Sequence, residues 1–379
     1  MFTFYRSNQL LTNESYIKVK NLKGDEDFKA LVPYFVNLAE TKGPLYAYDV
    51  LRKAKIKPGV DIHLLAHFIG DVLYKQKGVS GMEYCTEEFT NACSHTIVVG
   101  LFLERGKSAL PEIVEVCNKV PGNKNAYGLC FHGLGHGVLA YTKYDLPQAI
   151  NICSKIKPKT PRDNEFPQCV GGAIMEIAGG GFHDRVTWAK QHEKYLRTGD
   201  PLYPCNSNMI PEEAKEACYG YITPNLFKYA NVDLDNIETS SLYNAFKFCE
   251  NIENNLHRNV CYGGFGKEFV GLAIGRDVRD LSSMDGRIFN KIYEWCSAAD
   301  QKIAKMNCIY FATGSIFWGG DNDARIAINF CKSIKDLGEA SLCLDELIKR
   351  VHTFVDDPQY ITDFCNNLSK DRQDRCLSF

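Results

Sequence analysis

The sequence lacks several features that define common protein classes. No stretch approaches the roughly 18–20 uninterrupted apolar residues that a membrane-spanning helix needs, so we expect no transmembrane segment. The formal net charge is −2, with 44 basic and 46 acidic residues and no basic block. This balance argues against a nucleic-acid partner bound through a wide phosphate footprint. Hydrophobic residues make up 45 % and charged residues 24 %, a composition that excludes disordered and fibrous classes.

The chain also lacks Cys-x-x-Cys motifs, which are typical of structural zinc sites, although its 379 residues include 16 cysteines. The cysteines pair off in chain order, and none is left over. Eight short-range disulfides are the simplest interpretation, and they imply an oxidising compartment. The predicted pairs are Cys85–Cys93, Cys117–Cys130, Cys153–Cys169, Cys205–Cys218, Cys249–Cys261, Cys296–Cys308, Cys331–Cys343 and Cys365–Cys376.

The amino-terminal residues Met-Phe-Thr-Phe-Tyr-Arg do not show the pattern of a signal peptide, which is a charged segment followed by a long apolar one. The disulfides nevertheless predict an extracytoplasmic protein, whether secreted, periplasmic or surface-anchored. We therefore expect that a signal or an anchor has been removed, or that the numbering starts at the mature chain.

An internal repeat runs along most of the chain. The first cysteine of six pairs closes an apolar stretch with helical periodicity, and the second cysteine opens another. Each unit therefore reads as helix A, cysteine, polar loop, cysteine, helix B, and the second cysteines are 33–49 residues apart. This period is typical of two-helix repeats. The sequence thus predicts an all-α fold, a right-handed α-solenoid of helix hairpins, each stapled by one disulfide.

This pattern predicts a division of the chain into three parts. Residues 61–75 look like a helix B without its cysteines, with Asp61 as the N-cap. We expect an N-terminal helical segment at 1–60, the histidine-bearing first repeats at 61–143, and the remaining cysteine-pair repeats of the same solenoid at 144–379.

Two further features of the repeats concern loops and glycines. The longer polar segments 184–204 and 276–286 are predicted to be loops on one face. Glycines recur within eight residues after the second cysteines. Either neighbouring B helices approach each other closely at these positions, or the B helices start late, after glycine-rich loops.

Two-helix repeats with one cysteine pair each resemble the cysteine-rich Sel1-like repeat proteins, a group near the tetratricopeptide class. The resemblance covers roughly residues 110–379, and the partner cysteines follow 10–16 positions after helix A. The resemblance rests on the A helices that end at Cys117, Cys153, Cys249, Cys296, Cys331 and Cys365. The resemblance implies an α-solenoid that binds a ligand or a protein, and it implies nothing about the histidines.

Five of the nine histidines occupy equivalent repeat positions. Counted from the second cysteine, or from Asp61 in the first repeat, three of them stand two residues on and two stand six residues on. These residues are His63, His67, His95, His132 and His136. Because residues four apart share a helical face, both imidazoles of a His-x-x-x-His pair can bind one metal ion.

The arrangement of ligands within this ladder stays open. His95 lies between the two pairs in repeat order, so it can complete a three-histidine site with either pair, or all five can line a two-metal pocket. Glu176, at a similar level of the next helix, is predicted as a catalytic general base, a ligand or an orienting partner. A histidine site outside the cytosol suits copper or zinc. Zinc would activate water, and copper would handle electrons or dioxygen.

Three functions are compatible with these residues. The first is a helical-repeat protein with a copper or zinc site in its first three repeats, with or without catalytic activity. The second is a metal-free scaffold whose concave face binds a protein, peptide, glycan or membrane-complex partner, and whose histidines are duplicated packing residues. The third is a metal-free hydrolase or lyase that uses His132 or His136 as the base, supported by Glu176.

Overall fold

The computed structural model describes residues 24–379 apart from 55, 58, 123, 158–163, 198, 280 and 320–322. Within these residues the protein is all helical and has no strand, which confirms the predicted all-α class. Residues 1–23 of the predicted N-terminal segment lie outside the described residues. The rest of that segment folds into two helices.

The helices of the first part of the chain extend from Gly24 to Tyr229. They are α1 (Gly24–Lys42), α2 (Pro44–Lys53), α3 (Ile62–Lys77), α4 (Glu88–Arg105), α5 (Leu110–Cys117), α6 (Lys124–Tyr141), α7 (Leu146–Cys153), α8 (Glu165–Ala178), α9 (Arg185–Gln191), α10 (Glu212–Tyr221) and α11 (Thr223–Tyr229). Short 3-10 helices lie at Gly78–Tyr84, Gly106–Ala109 and His192–Lys194. The segment 184–204, predicted as a loop, thus contains a short helix because Asp184 caps its start.

The second part of the chain continues the same alternation. Its helices are α12 (Thr239–Glu250), α13 (Asn255–Ala273), α14 (Gly286–Cys296), α15 (Lys302–Gly319), α16 (Ala324–Ser333), α17 (Leu337–Phe354), α18 (Pro358–Asn366) and α19 (Lys370–Leu377). A 3-10 helix lies at Leu281–Ser283 within the predicted loop 276–286. Of all these described helices, none combines the length and the apolar character needed to cross a bilayer.

Side-chain caps fix where several helices start. The Asp61 carboxylate accepts a hydrogen bond from the backbone N–H of Leu64 at 2.9 Å, which confirms the predicted N-cap of α3. The same type of bond caps α7, α13 and α17 through Asp145, Asn254 and Asp336. Each cap satisfies an N–H group that has no partner within the helix.

All eight predicted disulfides are present, and no cysteine is free. They point to an oxidising, extracytoplasmic environment. Short loops of this kind stabilise by roughly 3 kcal/mol each in the chain-entropy model. A helices such as α5 end at the first cysteine, Cys117, as predicted. Two first cysteines differ: Cys85 follows a 3-10 helix, and Cys205 lies in a turn.

The predicted start of the B helices at the second cysteine is wrong. Helix α6 begins at Lys124 and α13 at Asn255, both six residues before their cysteines, Cys130 and Cys261. Polar residues between the cysteines form the first turns of these helices, and Asn254 caps the start of α13. The disulfide therefore joins the end of helix A to the side of helix B, with 5.6 Å between the Cα atoms of Cys117 and Cys130.

The B helices pack against one another in chain order, α3, α4, α6, α8, α10, α13, α15 and α17. Glycines inside the helices permit this packing. A Cβ atom on Gly135 would lie 2.0 Å from the carbonyl oxygen of Cys169, and one on Gly172 would lie 1.9 Å from that of His132. Close approach of neighbouring B helices is thus confirmed, and late-starting helices are wrong.

The later helices also return to the first ones. The N–H of Gly59 donates a hydrogen bond to the carbonyl of Gly275 at 2.9 Å. The Arg279 guanidinium donates to the carbonyl of Leu51 at 3.1 Å. Helix α15 contacts α4, and α17 contacts α6. The row of B helices therefore curls back on itself, so that the first repeats pack against both their neighbours and the later repeats.

Candidate metal centre

Six histidine rings converge where α3, α4 and α6 meet the loop after α8. Five of them belong to the predicted ladder, and the sixth, His183, comes from the loop. We call this group the His cluster: His63, His67, His95, His132, His136 and His183. Neighbouring ring centroids are 4.6–6.5 Å apart. The structure thus brings together every predicted ladder histidine.

Within each His-x-x-x-His pair, the two imidazole rings lie close together. The Nε2 atoms of His63 and His67 are 3.1 Å apart on α3. Those of His132 and His136 are 3.3 Å apart on α6. Each pair lies on one helical face because its members are four residues apart.

Two single histidines stand between the pairs. The His95 ring, on α4, lies 5.6 Å from that of His67 and 6.1 Å from that of His132. The His183 ring lies 6.0 Å from His67 and 5.9 Å from His136. Both pairs are therefore linked through the same two neighbours.

Glu176 on α8 has no exposed surface and accepts four hydrogen bonds. Its partners are the Nδ1 of His136 at 2.9 Å, the hydroxyl of Tyr144 at 2.8 Å, and the N–H and Nδ1 of His183 at 3.0 and 3.2 Å. These four bonds occupy the lone pairs of both oxygens. The geometry is that of a residue that positions histidines, and the role of catalytic general base stays a prediction.

The bonds to Glu176 determine which nitrogen of two histidines carries the proton. Burial raises the pKa of Glu176, but the facing His183 and His136 outweigh it and hold that pKa below its usual range. The carboxylate is therefore ionised and can only accept. It follows that Nδ1 donates in both His136 and His183. Burial lowers the pKa of His136, so this ring is neutral and its Nε2 lone pair is free. Burial lowers the pKa of His183 as well, but the facing Glu176 outweighs it and raises that pKa, which favours the protonated ring.

A backbone carbonyl determines in the same way which nitrogen of His63 carries the proton. Its Nδ1 lies 2.5 Å from the carbonyl oxygen of Phe89, an acceptor, so the Nε2 lone pair is again free. The chain at Phe89, Thr90 and Asn91 has φ values of 56°, 57° and 62° within α4. Such left-handed residues cost roughly 1–2 kcal/mol each. Strained backbone of this kind concentrates at functional sites, and here it carries the carbonyl that orients His63.

Several buried ring nitrogens of the His cluster have no hydrogen-bond partner among the described residues. They are both nitrogens of His95 and the Nδ1 atoms of His67 and His132. His95 is only 3 % exposed. Burial, together with the neighbouring histidines, lowers the pKa of all three rings well below the usual value. The rings are therefore neutral, which is the form that binds metals.

Sequence reasoning missed His183, which no helical register predicts. It follows Gly179, Gly180 and Gly181, and the last two have φ values of 107° and 74°. These positive angles, which favour glycine, turn the chain from the end of α8 back over the cluster. A glycine triplet directly after the helix that carries Glu176 was the available signal.

Met175 and Asp71 were also missed. The Sδ atom of Met175 lies 3.4 Å from the Nε2 of His132. Met175 follows Cys169 by six residues, the register that holds His136 on α6. Asp71 follows His67 by four residues on α3. Burial raises its pKa to about 6, although the neighbouring His183 and Lys75 lower it.

Other candidate metal or ligand sites have weaker support. His352 lies beside the sulfurs of Cys365 and Cys376, but these atoms form a disulfide and are not thiolate ligands. Two surface pockets of about 540 and 630 Å³ are lined by residues outside the His cluster. The cluster itself is close-packed, and its less buried members are His63 and His183.

Comparisons of the chain with family models, with curated proteins and with solved structures gave no match. The resemblance to Sel1-like repeat proteins therefore stays a prediction from the cysteine pattern.

Proposed function

We propose that this protein binds a transition-metal ion, copper or zinc, in the His cluster. The observation that carries the proposal is the set of buried imidazole nitrogens without partners, above all both nitrogens of His95. An unsatisfied buried polar atom costs about 1–3 kcal/mol. Coordination through one nitrogen of His95 would satisfy that atom and would offset its cost.

The facing Nε2 atoms support the same proposal. Two ligands on a tetrahedral ion with bonds of about 2.0–2.1 Å are about 3.3 Å apart. The Nε2 atoms within the two pairs are 3.1 and 3.3 Å apart. Both pairs thus hold their Nε2 atoms at the separation that one bound ion needs.

The architecture that we propose around the site is a right-handed α-solenoid of disulfide-stapled hairpins. The consecutive packing of the B helices and the eight disulfides support it. We propose an extracytoplasmic location, secreted, periplasmic or surface-anchored. A protein, peptide, glycan or membrane-complex partner on the concave face is a proposal that follows from this shape.

The bound ion would supply either activated water, if zinc, or electron and dioxygen chemistry, if copper. The protein's own residues would hold and orient it. Glu176 fixes His136 and His183, the Phe89 carbonyl fixes His63, and the lower burial of His63 and His183 makes their side the route of entry.

The test is elemental analysis of natively purified, tag-free protein. We expect near-stoichiometric copper or zinc, lost in the double variant His132→Ala/His136→Ala. His192→Gln is the matched control, because His192 stacks on Trp188 at 4.1 Å and is not a member of the cluster. Circular dichroism of each variant checks that its helices are retained.

Absence of metal from the wild-type protein, even after reconstitution, would contradict the proposal. A metal-free scaffold would then be the better description. That alternative predicts that substitutions in the His cluster leave partner binding unchanged, whereas substitutions of concave aromatic residues weaken it.

A further inference from the structure

We propose that the His cluster holds two copper ions side by side, one in each half, an inference that rests on the proposed metal function. The first half consists of His63, His67 and His95. The second half consists of His132 and His136, with Met175 beside them. The arrangement of donors, the separate orienting groups and the sulfur each contribute to the argument.

The first half is a complete three-nitrogen site. One ligand atom from each of His63, His67 and His95 can be chosen so that all three lie within 4.8 Å of one another. Small adjustments of the rings bring three such atoms onto one ion with bonds of about 2 Å. No residue of the second half is needed to complete it.

The second half offers two imidazoles and a thioether. The Nε2 of His132 is 3.3 Å from that of His136 and 3.4 Å from the Sδ of Met175. Two nitrogens and one sulfur can thus meet on a second ion.

The two pairs do not share a set of ligand atoms. Among the described residues, no group of three His, Cys, Asp or Glu ligand atoms within 4.8 Å of one another includes members of both pairs. The pairs stand on α3 and α6, and α4, which carries His95, packs against both helices. Ligands of one ion with bonds of about 2 Å lie at most about 4 Å apart, so two ions, one for each pair, fit this arrangement.

Each half has its own orienting group. The carbonyl of Phe89 fixes His63 in the first half, and Glu176 fixes His136 in the second. Metal-binding histidines are commonly oriented through the other ring nitrogen in this way. Two independent orienting groups fit two ions better than one.

Met175 selects the metal. A thioether is a soft donor that favours Cu(I), and imidazole suits copper in both oxidation states. The Sδ of Met175 is 3.4 Å from the Nε2 of His132, so sulfur and nitrogen can share one ion. Zinc in proteins is bound by Cys, His and carboxylate ligands.

The experiment is copper loading of the full chain followed by removal of loosely bound metal. We expect two copper ions per chain. We also expect the electron paramagnetic resonance signal of the Cu(II)-loaded protein to account for less than the bound copper, because two Cu(II) ions so close together couple magnetically. The double variants His63→Gln/His67→Gln and His132→Gln/His136→Gln should each hold one copper with a full, uncoupled signal.

One copper ion per chain with an uncoupled signal in the wild type would overturn this inference and leave the proposed metal function intact. So would retention of two zinc ions by a protein that takes up no copper. Absence of any bound metal would remove both proposals. The wild-type stoichiometry and spectrum decide the matter even if a double variant fails to fold.

Discussion

The first four B helices and the later four share one scaffold but differ in what they place inside it. Both regions use cysteine pairs and glycines in the same manner. A Cβ atom on Gly135 would lie 2.0 Å from the carbonyl oxygen of Cys169, and one on Gly266 would lie 1.9 Å from that of Cys308. Helix spacing is thus set by the same device in both regions.

The difference lies two and six residues after the second cysteine. On α3, α4 and α6 the ladder histidines stand at these positions, whereas Gly220, Gly263, Lys267 and Tyr310 are among the residues that occupy them later. The later side chains have partners, as Lys267 has over the Tyr221 ring at 4.0 Å. Among the described residues, buried imidazole nitrogens without partners occur only in the first region. A repeated scaffold therefore carries a local chemical site.

Removing the buried glutamate of each region should give the largest contrast. Glu176→Ala leaves His136, His183 and Tyr144 without their acceptor, so we expect a loss of about 3–5 kcal/mol in the free energy of unfolding. Glu339, which accepts from Tyr293 at 2.8 Å and pairs with Lys305, is the matched control. Chemical denaturation of the metal-free proteins measures both losses.

Metal titration separates the two glutamates. Glu176→Ala should weaken metal binding about 10–100-fold, the usual effect of losing an orienting partner, while Glu339→Ala should leave it unchanged. Equal metal affinity in both variants would show that Glu176 does not orient the ligands.

Filling the glycine contacts should have an intermediate effect in both regions. Gly135→Ala and Gly266→Ala each push a methyl group into backbone, which costs about 1–3 kcal/mol. Only Gly135→Ala should also weaken metal binding, because it separates α6 from α8. Gly271→Ala has nothing within 4 Å of the added Cβ and should stabilise α13 by up to about 1 kcal/mol. Thermal unfolding would contradict this account if all three variants behaved alike.

The smallest structural effect is expected from Met175→Leu. The change conserves volume, so the loss of stability should be below about 1.5 kcal/mol. If sulfur selects the metal, the affinity for Cu(I) should fall while the affinity for zinc stays the same. Met306→Leu replaces a buried methionine of the later region and serves as the control. Competition titration with a Cu(I) chelator is the measurement, and an unchanged affinity would exclude Met175 as a ligand.

Local patterns predicted much of the fold. Helical periodicity, ordered cysteine pairs and the Asp61 cap are confirmed, because each depends on neighbours in the chain. The predicted starts of the B helices were wrong, because the polar residues before the second cysteine have the composition of a loop. Their helical state depends on caps such as Asn254 and on packing that no single segment reveals.

The site was predictable in part for the same reason. The five ladder histidines follow the repeat register, so the structure brings them together. His183 reaches the cluster through a glycine turn, and the Phe89 carbonyl reaches it through a left-handed turn. Both depend on tertiary contacts, and the sequence around Phe89 contains no glycine that would signal such a turn.

The most direct test of the central claim is anomalous diffraction from crystals of the copper-loaded protein at the copper absorption edge. The account predicts strong peaks inside the His cluster, one bonded to the His63–His67 pair and one to the His132–His136 pair. Peaks confined to the protein surface, or none within bonding distance of these imidazoles, would contradict it.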